Sequence, residues 1–383
     1  VLEATILGTD SEFDSLQREW DELLESSDQR VFFLRWHWVR SWWRYYAPRD
    51  SRLLLVVCRC GGRLVGLAPF YMRRQRQYGV LALREVCFLG TGRQRVSEHL
   101  DIIARRGSEE EVGRTVATVL HQSVSWDRFW LWGTPASSTV FPHFRSALGA
   151  GVSTAVCDRA YVIDTSQDWE QTKRVFRHDV DRMFKQLWRD GQSHDVRVQS
   201  LHELGPALDD LIRLHQRRWV AKGNPGAFAH PGFEQLIRHA AADSLVRGRL
   251  GLWQLYVNGR CRAALIAFVD FGTAHYFQSG FDPGAPGVGR ILVGLAIRDC
   301  VNASGIRRFD MMGGGSDSGY KTDWTPRAVD IIELECLGRG LRPAIFRFLR
   351  RSESRVVRLL TRLPAPAKRL VRAGWKRVAQ RTE

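Results

Sequence analysis

AHYFQSGFDPGAPGVGRILVGLAIRDCVNASGIRRFDMMGGGSDSGYKTDW, residues 274–324, is the stretch on which the fold turns. It opens with an aromatic-rich strand pattern at 276–281 and passes through a Gly/Pro segment at 282–289. Val288, Ile291, Leu292, Leu295 and Ala296 then follow at helical spacing. The order is strand, glycine loop, helix. A helix that begins directly after glycines points unpaired backbone N–H groups and the positive end of its dipole into the loop, which favours phosphate or carboxylate there. Arg290 adds a full charge at the same place. A second short strand at 307–311 leads into glycines and small polar residues that end in Tyr320, Lys321 and Trp324.

At 383 residues the chain exceeds the usual single-core size, so two domains are expected. Its 44% hydrophobic and 26% charged content fits a globular protein. No window holds the roughly 18 consecutive apolar residues of a membrane span. The opening VLEATILGTDSEF lacks the basic-then-apolar layout of a secretory signal, so the cytoplasm is the expected compartment. Of seven scattered cysteines only Cys58 and Cys60 are close, and no second Cys/His pair stands at zinc-finger spacing; buried reduced thiols and no metal are expected.

The net charge of +16 suggests nucleic acid until its location is considered. Fourteen Lys and Arg lie from Arg339 onward against Glu353 and Glu383, so the tail carries +12 of the total. Ile345, Phe348, Leu349, Val356, Leu359 and Leu360 interleave with those charges at helical spacing. Pro364 and Pro366 interrupt them, and Leu370, Val371, Trp375 and Val378 follow. A basic amphipathic tail suits an anionic membrane surface, packing on the body of the protein, or RNA contact.

Taken in order, residues 11–26 form an amphipathic helix pattern with Phe13, Leu16, Trp20, Leu23 and Leu24 on one side. The aromatic run 32–46 reads as a core helix with one edge on a cleft, or as a sugar-stacking platform. A hairpin follows, turning at Gly61-Gly62, and the same construction returns at Asn258-Gly259. That repetition suggests an internal duplication. Between the hairpins, residues 84–89 read as a strand, and Glu98, His99 and Asp101 precede the apolar Ile102 and Ile103. On a strand, His99 and Asp101 would share one face and Glu98 would take the other. A His beside a carboxylate is a usable general base, because the carboxylate orients the ring and stabilises its charged form. Polar residues before a strand also occur as plain surface. A helix at 109–120, a strand at 129–132 and a helix at 137–148 complete the first unit.

The second unit opens with a strand at 161–164. Thr165 and Ser166 are expected to cap one long helix over 168–189, whose basic face is solvated or receives a nucleotide or tRNA phosphate. A helix at 204–220 runs into KGNPGAFAHPGF, a Gly/Pro loop that lines a site or merely connects.

The pattern Phe309-Asp310, Gly313-Gly314 and Tyr320-Lys321-x-x-Trp324, with the strand-loop-helix before it, resembles the acyl-CoA-binding half of the GNAT acyltransferase superfamily. It is most similar to the branch associated with cellulose and polysaccharide biosynthesis in bacteria. The aromatic-Lys pair also resembles the Fem-type aminoacyl transferases. The Trp-rich helix before the first long strand, the Asp before apolar residues at Asp101, and His215-x-x-Arg218-Trp219 before a glycine-rich loop add to the likeness.

The resemblance implies an α/β (α+β) fold of two tandem GNAT-like domains, mixed sheets flanked by helices. They would occupy residues 1–155 and 156–338, with the basic amphipathic helical tail at 339–383. It implies acyl-CoA (acetyl-CoA) as co-substrate at Gly287, Val288, Gly289 and Arg290, although PGAPGVGR departs from the Gln/Arg-x-x-Gly-x-Gly/Ala loop of ordinary GNAT enzymes. Strand residues 276–280, with Gln278, would offer backbone donors to the thioester oxygen. His215, Arg218, Trp219, Gln278 and Tyr320 would contact substrate. Asp310 is the family-matched proton acceptor, with His275 and the Glu98/His99/Asp101 group as other candidates, and Asp310 could equally cap the glycine loop. Lys321, after flexible glycines, would reach a phosphate or a developing oxyanion. The expected activity is acyl transfer to an amine or hydroxyl of a polysaccharide or cell-envelope precursor, peripheral to the inner membrane face. The competing readings are a Fem-type transferase using charged tRNA, whose usual coiled-coil arm has no counterpart here, and a non-catalytic GNAT scaffold.

Overall fold

The computed structural model describes residues 2–79, 81–92, 96–149, 151–189 and 191–361, side chains excepted at 315–318 and 353–361. Among the described residues thirteen strands form: β1 Leu2–Leu7, β2 Arg52–Cys60, β3 Arg63–Gln77, β4 Leu81–Phe88, β5 Ile103–Ala104, β6 Arg128–Pro135 and β7 Val152–Asp164, then β8 Ser193–Arg197, β9 Leu250–Val257, β10 Arg260–Asp270, β11 Thr273–Phe281, β12 Arg308–Asp310 and β13 Ala328–Leu337. They join in the order β1-β2-β3-β4-β6-β13-β7-β12-β11-β10-β9-β8, with β5 beside β3. The sheets of the two halves are therefore continuous. The last strand, β13, lies between β6 and β7 and pairs antiparallel with both. The expected division between residues 155 and 156 falls inside β7.

Both hairpins form for the same local reason. Gly61 and Gly62 have φ of 54° and 78°, Asn258 and Gly259 of 53° and 70°, the left-handed pair that a two-residue turn requires to match strand twist. Helices cover the two faces. On one face the Trp-rich helix Trp36–Tyr45 packs with helices Leu201–Ala221 and Pro231–Val246; Trp38 and Trp42 are fully buried, so this aromatic run is core. On the other, helix Val288–Asn302 covers β11 and β10 through Leu292, Leu295 and Ala296. Residues 32–35 dock the first half onto the second. Phe32 stacks on Phe268 at 4.5 Å, and Arg35 pairs with Asp270 at 2.7 Å, both side chains buried.

Two expectations change. The helix expected over 168–189 is two short helices, Trp169–Thr172 and Val180–Trp188, capped by Asp168 and Asp179 rather than by Thr165 or Ser166. Between them the Arg177 N–H donates to the Asp323 carbonyl and Phe176 packs edge-on against Trp324, and these tertiary contacts outweigh helical propensity. The helix at 11–26 likewise divides at Leu16 into Asp10–Ser15 and Gln17–Glu25. In the tail, helix Leu341–Thr361 is held through Phe346, which lies against Tyr78 and Arg128, while Ile345 and Phe348 are exposed. The second tail run, with Pro364, Pro366 and Trp375, lies outside the described residues. Among the described residues no helix is long and apolar enough to cross a membrane.

One close approach fixes the layer over β11. A Cβ on Gly280 would stand 2.3 Å from the His215 backbone nitrogen and 2.8 Å from the Leu211 carbonyl, so helix Leu201–Ala221 can sit this low only over glycine. Gly280→Ala is expected to destabilise the protein by roughly 2 kcal/mol or more, because backbone rather than a side chain must move. A thermal melt checks this, and an unchanged midpoint would refute the close packing.

Candidate active site

The parallel strands β11 and β12 pair over three residues only: Thr273 with Arg308, Ala274 with Phe309, His275 with Asp310. Beyond that rung β12 ends while β11 continues to Phe281, so 276–281 has no strand beside it on that side. On its other edge the β10 register slips between Ile266 and Ala267, leaving Phe277 as an extra residue. Such a bulge re-aims local backbone groups and is common beside active sites. The result is a V-shaped opening with its apex at His275 and Asp310.

At the far end of β11, Asp282 turns the chain. Its carboxylate accepts the Gly284 N–H and pairs with Arg262 at 2.6 Å and Arg217 at 3.3 Å; the Gly284 hydrogen bond, then Arg262, hold it below the usual carboxylate range. Gly287 caps helix Val288–Asn302 at φ 87°, with open space where a Cβ would point. Gly289 and Arg290 fall in the first turn, where a helix has no internal acceptor for its N–H groups, and no acidic residue stands there. Gly289 has a packing reason as well, since a Cβ would meet the Phe281 ring at 2.6 Å.

The first half repeats this layout and closes it. Strands β4 and β6 are parallel and paired only at Glu85–Arg128 and Val86–Phe129. The loop that follows β4 crosses the resulting gap, with the Ser97 N–H donating to Gly90 and the Leu100 N–H to Gly133. Helix Glu109–Ser123, which stands where Val288–Asn302 stands in the second half, carries Glu109, Glu110 and Glu111 in its first turn. That end repels an anion. Of these two helix starts, the one without acidic residues lies in the second half.

The crossing loop delivers the expected polar group to the apex, by a different route from the strand alternation read in the sequence. His99 has φ 58°, and its Nε2 stands 2.8 Å from Asp310 Oδ2; His275 Nδ1 lies 3.7 Å from the same oxygen. Glu98 instead accepts the Gly313 N–H at 2.7 Å, and Asp101 accepts the Ile102 N–H at 2.8 Å. Burial works against a charged His99, but Asp310 outweighs it and the net pKa is raised. For Asp310, burial pushes the pKa up and His99 and His275 pull it well below the carboxylate range. Burial lowers His275, and raises both Glu98 and Asp101 to about 7. His99, His275 and Asp310 present donor atoms within 4.8 Å of one another, the one group of metal-ligand type among the described residues. The 2.8 Å contact is an ion-paired hydrogen-bond length, shorter than the roughly 3.4 Å between two ligands of a tetrahedral zinc.

Lys321 departs from expectation. Its ammonium is buried and donates to the Met312 carbonyl at 2.9 Å and to the Gly313 carbonyl, and burial lowers its pKa against the pull of Glu98, Asp310 and Asp158. It fixes the glycine loop and does not extend toward a phosphate. His215 is also buried; Gln216 and Gln278 bond its ring, and burial lowers its pKa to about 4. It thus ties helix Leu201–Ala221 to the strand bulge. Arg218 lies 4.2 Å over the Phe281 ring, next to the glycine turn, with Trp219 5.8 Å from it. Tyr320 is exposed and bonds Tyr276, whose hydroxyl also meets Ser279 at 2.5 Å.

His99, Asp101, His275 and Asp310 line a cavity of about 530 Å³ between the halves. Its walls include Arg30 and Ser138 from the first half and Arg307, Arg308 and Arg327 from the second. No sequence pattern singled out these residues or the Phe277 bulge, because each depends on which distant strands meet.

A splayed parallel pair with a bulge, followed by a glycine-capped helix, defines an acyltransferase fold of GNAT type. Residues 172–322 match the acetyltransferase (GNAT) domain family. No curated protein sequence is similar enough to match the chain. Among solved structures, the chain is similar to FemX at 9% identity and TM-score 0.61, over 90% of this chain and 99% of that one. It is similar to a conserved protein of unknown function from Bacteroides thetaiotaomicron at 12% and 0.55, covering 87% and 100%. L-PGS from Bacillus licheniformis gives 12% and 0.51, covering 87% and 96%. At these identities the likeness concerns the fold, here of two tandem GNAT-like units.

The buried acids set a pH dependence. Glu98 and Asp101 titrate near 7 when folded but near 4.5 and 3.8 when exposed, so the unfolded chain binds fewer protons between those values and stability falls as pH rises through the window. His99, raised above 6.5, adds a loss of the same sign at higher pH. The depressed His37 and His215, at about 4, act in the opposite sense below pH 6.5. Asp101→Asn is therefore expected to shift the change in melting temperature between pH 5 and 8 upward relative to wild type; an identical pH dependence in the variant would contradict the assignment to Asp101.

Proposed function

We propose that the protein transfers an acyl group, acetyl in the simplest case, from acyl-CoA to an amine or hydroxyl of an acceptor seated in the cavity between the halves. The observation that carries this is the asymmetry of the duplication. The second half keeps its splay open toward a glycine-capped helix end, while the first half fills its own with the loop that brings His99 to Asp310. Acyl-CoA supplies the activated thioester. The N–H groups of Gly289 and Arg290 and the Arg290 guanidinium suit its phosphates, and the unpaired edge of 276–280 suits its carbonyl. With Nε2 turned to Asp310, His99 keeps Nδ1 to take the acceptor's proton, and Asp310 stabilises the imidazolium that forms.

A polysaccharide or cell-envelope precursor is the acceptor class we favour. The basic tail supports work at an anionic membrane face, since Ile345 and Phe348 are exposed beside Arg347 and Arg351. A second reading, aminoacyl transfer from tRNA, draws on the overlay with FemX and on the departure of PGAPGVGR from the ordinary GNAT loop.

Two variants test the reading. Arg290→Glu is expected to raise KM for acetyl-CoA about tenfold, the loss of one phosphate contact of roughly 1.4 kcal/mol, with kcat little changed. His99→Asn is expected to lower kcat about a hundredfold or more at constant acetyl-CoA affinity. Because the His99 pKa is raised above 6.5, the neutral base accumulates as pH rises, so wild-type kcat should climb through an apparent pKa above 6.5 and the variant should lose that limb. Turnover with aminoacyl-tRNA and none with acetyl-CoA would replace the first reading with the second.

A further inference from the structure

The cavity has a floor and a rim of different chemistry. At the floor, Asp310 is engaged with His99, and Asp101 accepts the Ile102 N–H through one oxygen while its buried Oδ2 has no hydrogen-bond partner among the described residues. Two more acids on the wall are also occupied. Asp28 pairs with Arg106 at 2.6 Å, and Asp164 accepts from the Ser166 N–H and hydroxyl at 2.9 and 2.6 Å. At the rim stand Arg30, Arg307, Arg308 and Arg327, all exposed, contributed by both halves. Among the described residues none of the four lies within 4 Å of a carboxylate, whereas arginines elsewhere, such as Arg35, Arg73, Arg84 and Arg128, are paired. Asp164, held below the usual carboxylate range by its Ser166 hydrogen bonds and further by Arg327 and Arg308, offsets part of the positive charge round the opening, and a bound anion would offset the remainder. Arginine forks match the oxygens of phosphate in pairs.

Resting on the acyltransferase reading above, we infer that the acceptor carries a phosphate ester, held at the rim by Arg30, Arg307, Arg308 and Arg327 while its amine or hydroxyl reaches His99. The cavity volume of about 530 Å³ suits a sugar-sized group below the rim. The same phosphate chemistry could come from a nucleoside diphosphate sugar or from a lipid headgroup. The rim is distinct from the helix end at Gly287, so the two anion sites can be separated experimentally.

Binding of inorganic pyrophosphate, UDP-glucose and phosphatidylglycerol vesicles is measured by titration on the full chain, with phosphatidylcholine vesicles as control. Each titration is run with acetyl-CoA saturating and again in the Arg290→Glu variant. At least one anionic probe is expected to bind, and the double variant Arg307→Gln/Arg308→Gln to weaken it about tenfold or more, with acetyl-CoA affinity and melting temperature unchanged. Rim-dependent binding of pyrophosphate or UDP-glucose identifies a soluble phosphate ester. Rim-dependent binding of phosphatidylglycerol vesicles alone identifies a lipid. No binding by any probe, or binding that the double variant leaves intact, overturns the inference. Loss of acetyl-CoA binding in wild type would instead count against the donor site, which the rim measurements in Arg290→Glu do not require.

Discussion

The pairing of β11 with β12 stops at the rung between His275 and Asp310, and the rest of the site depends on that stop. Had β12 continued, its ladder would have saturated the backbone groups of 276–281 and closed the sheet. Because it turns away through Met311–Gly314, backbone is left beside an opening without the cost of burying it unpaired. Asp310 at the last rung caps that turn, its Oδ1 accepting the Met312 N–H at 2.7 Å, and offers Oδ2 to His99 and His275. One carboxylate thus ends a strand and anchors a dyad. Lys321 completes the turn from below by taking the Met312 and Gly313 carbonyls.

Duplication gives the two halves the same frame and different tasks. In the first, the loop that crosses the splay fills it and in the same stroke presents Glu98, His99 and Asp101 to the neighbouring half. The acidic first turn of helix Glu109–Ser123 makes the plugged half electrostatically unsuited to phosphate, so sterics and charge agree. The strand β13 then passes from the second half into the first half's sheet, pairing with β6 over 128–135, and the docking of Phe32 and Arg35 on β10 fixes the mutual position of the halves. The proposed division, a base drawn from one half and a donor site from the other, would require such rigidity, since misplacement by about 1 Å costs orders of magnitude in rate.

Local chemistry was legible in the sequence, and long-range pairing was not. The two glycine hairpins, the helix after Gly287 and the aromatic core helix follow from turn geometry, capping and periodicity, and they stand near where those rules put them. The break at 176–179 was hidden because its cause is Trp324 and Asp323, about 150 residues away. His99 and Asp310 were each nameable as a proton-transfer group. Their contact was not, because nothing in the text of the chain says that the loop before Ile102 crosses to the end of β12. Lys321 was misjudged for a related reason: glycines around it suggested freedom, whereas backbone carbonyls in the folded loop hold its charge.

The central claim is that the second half alone binds the acyl donor. Backbone hydrogen exchange with and without acetyl-CoA tests it directly, since amides that gain an acceptor or lose water exchange more slowly. The account predicts slowing at 276–280 and 288–291, with no change at 109–112. Slowing at 87–100 and 109–112, with 276–291 unaffected, would contradict it.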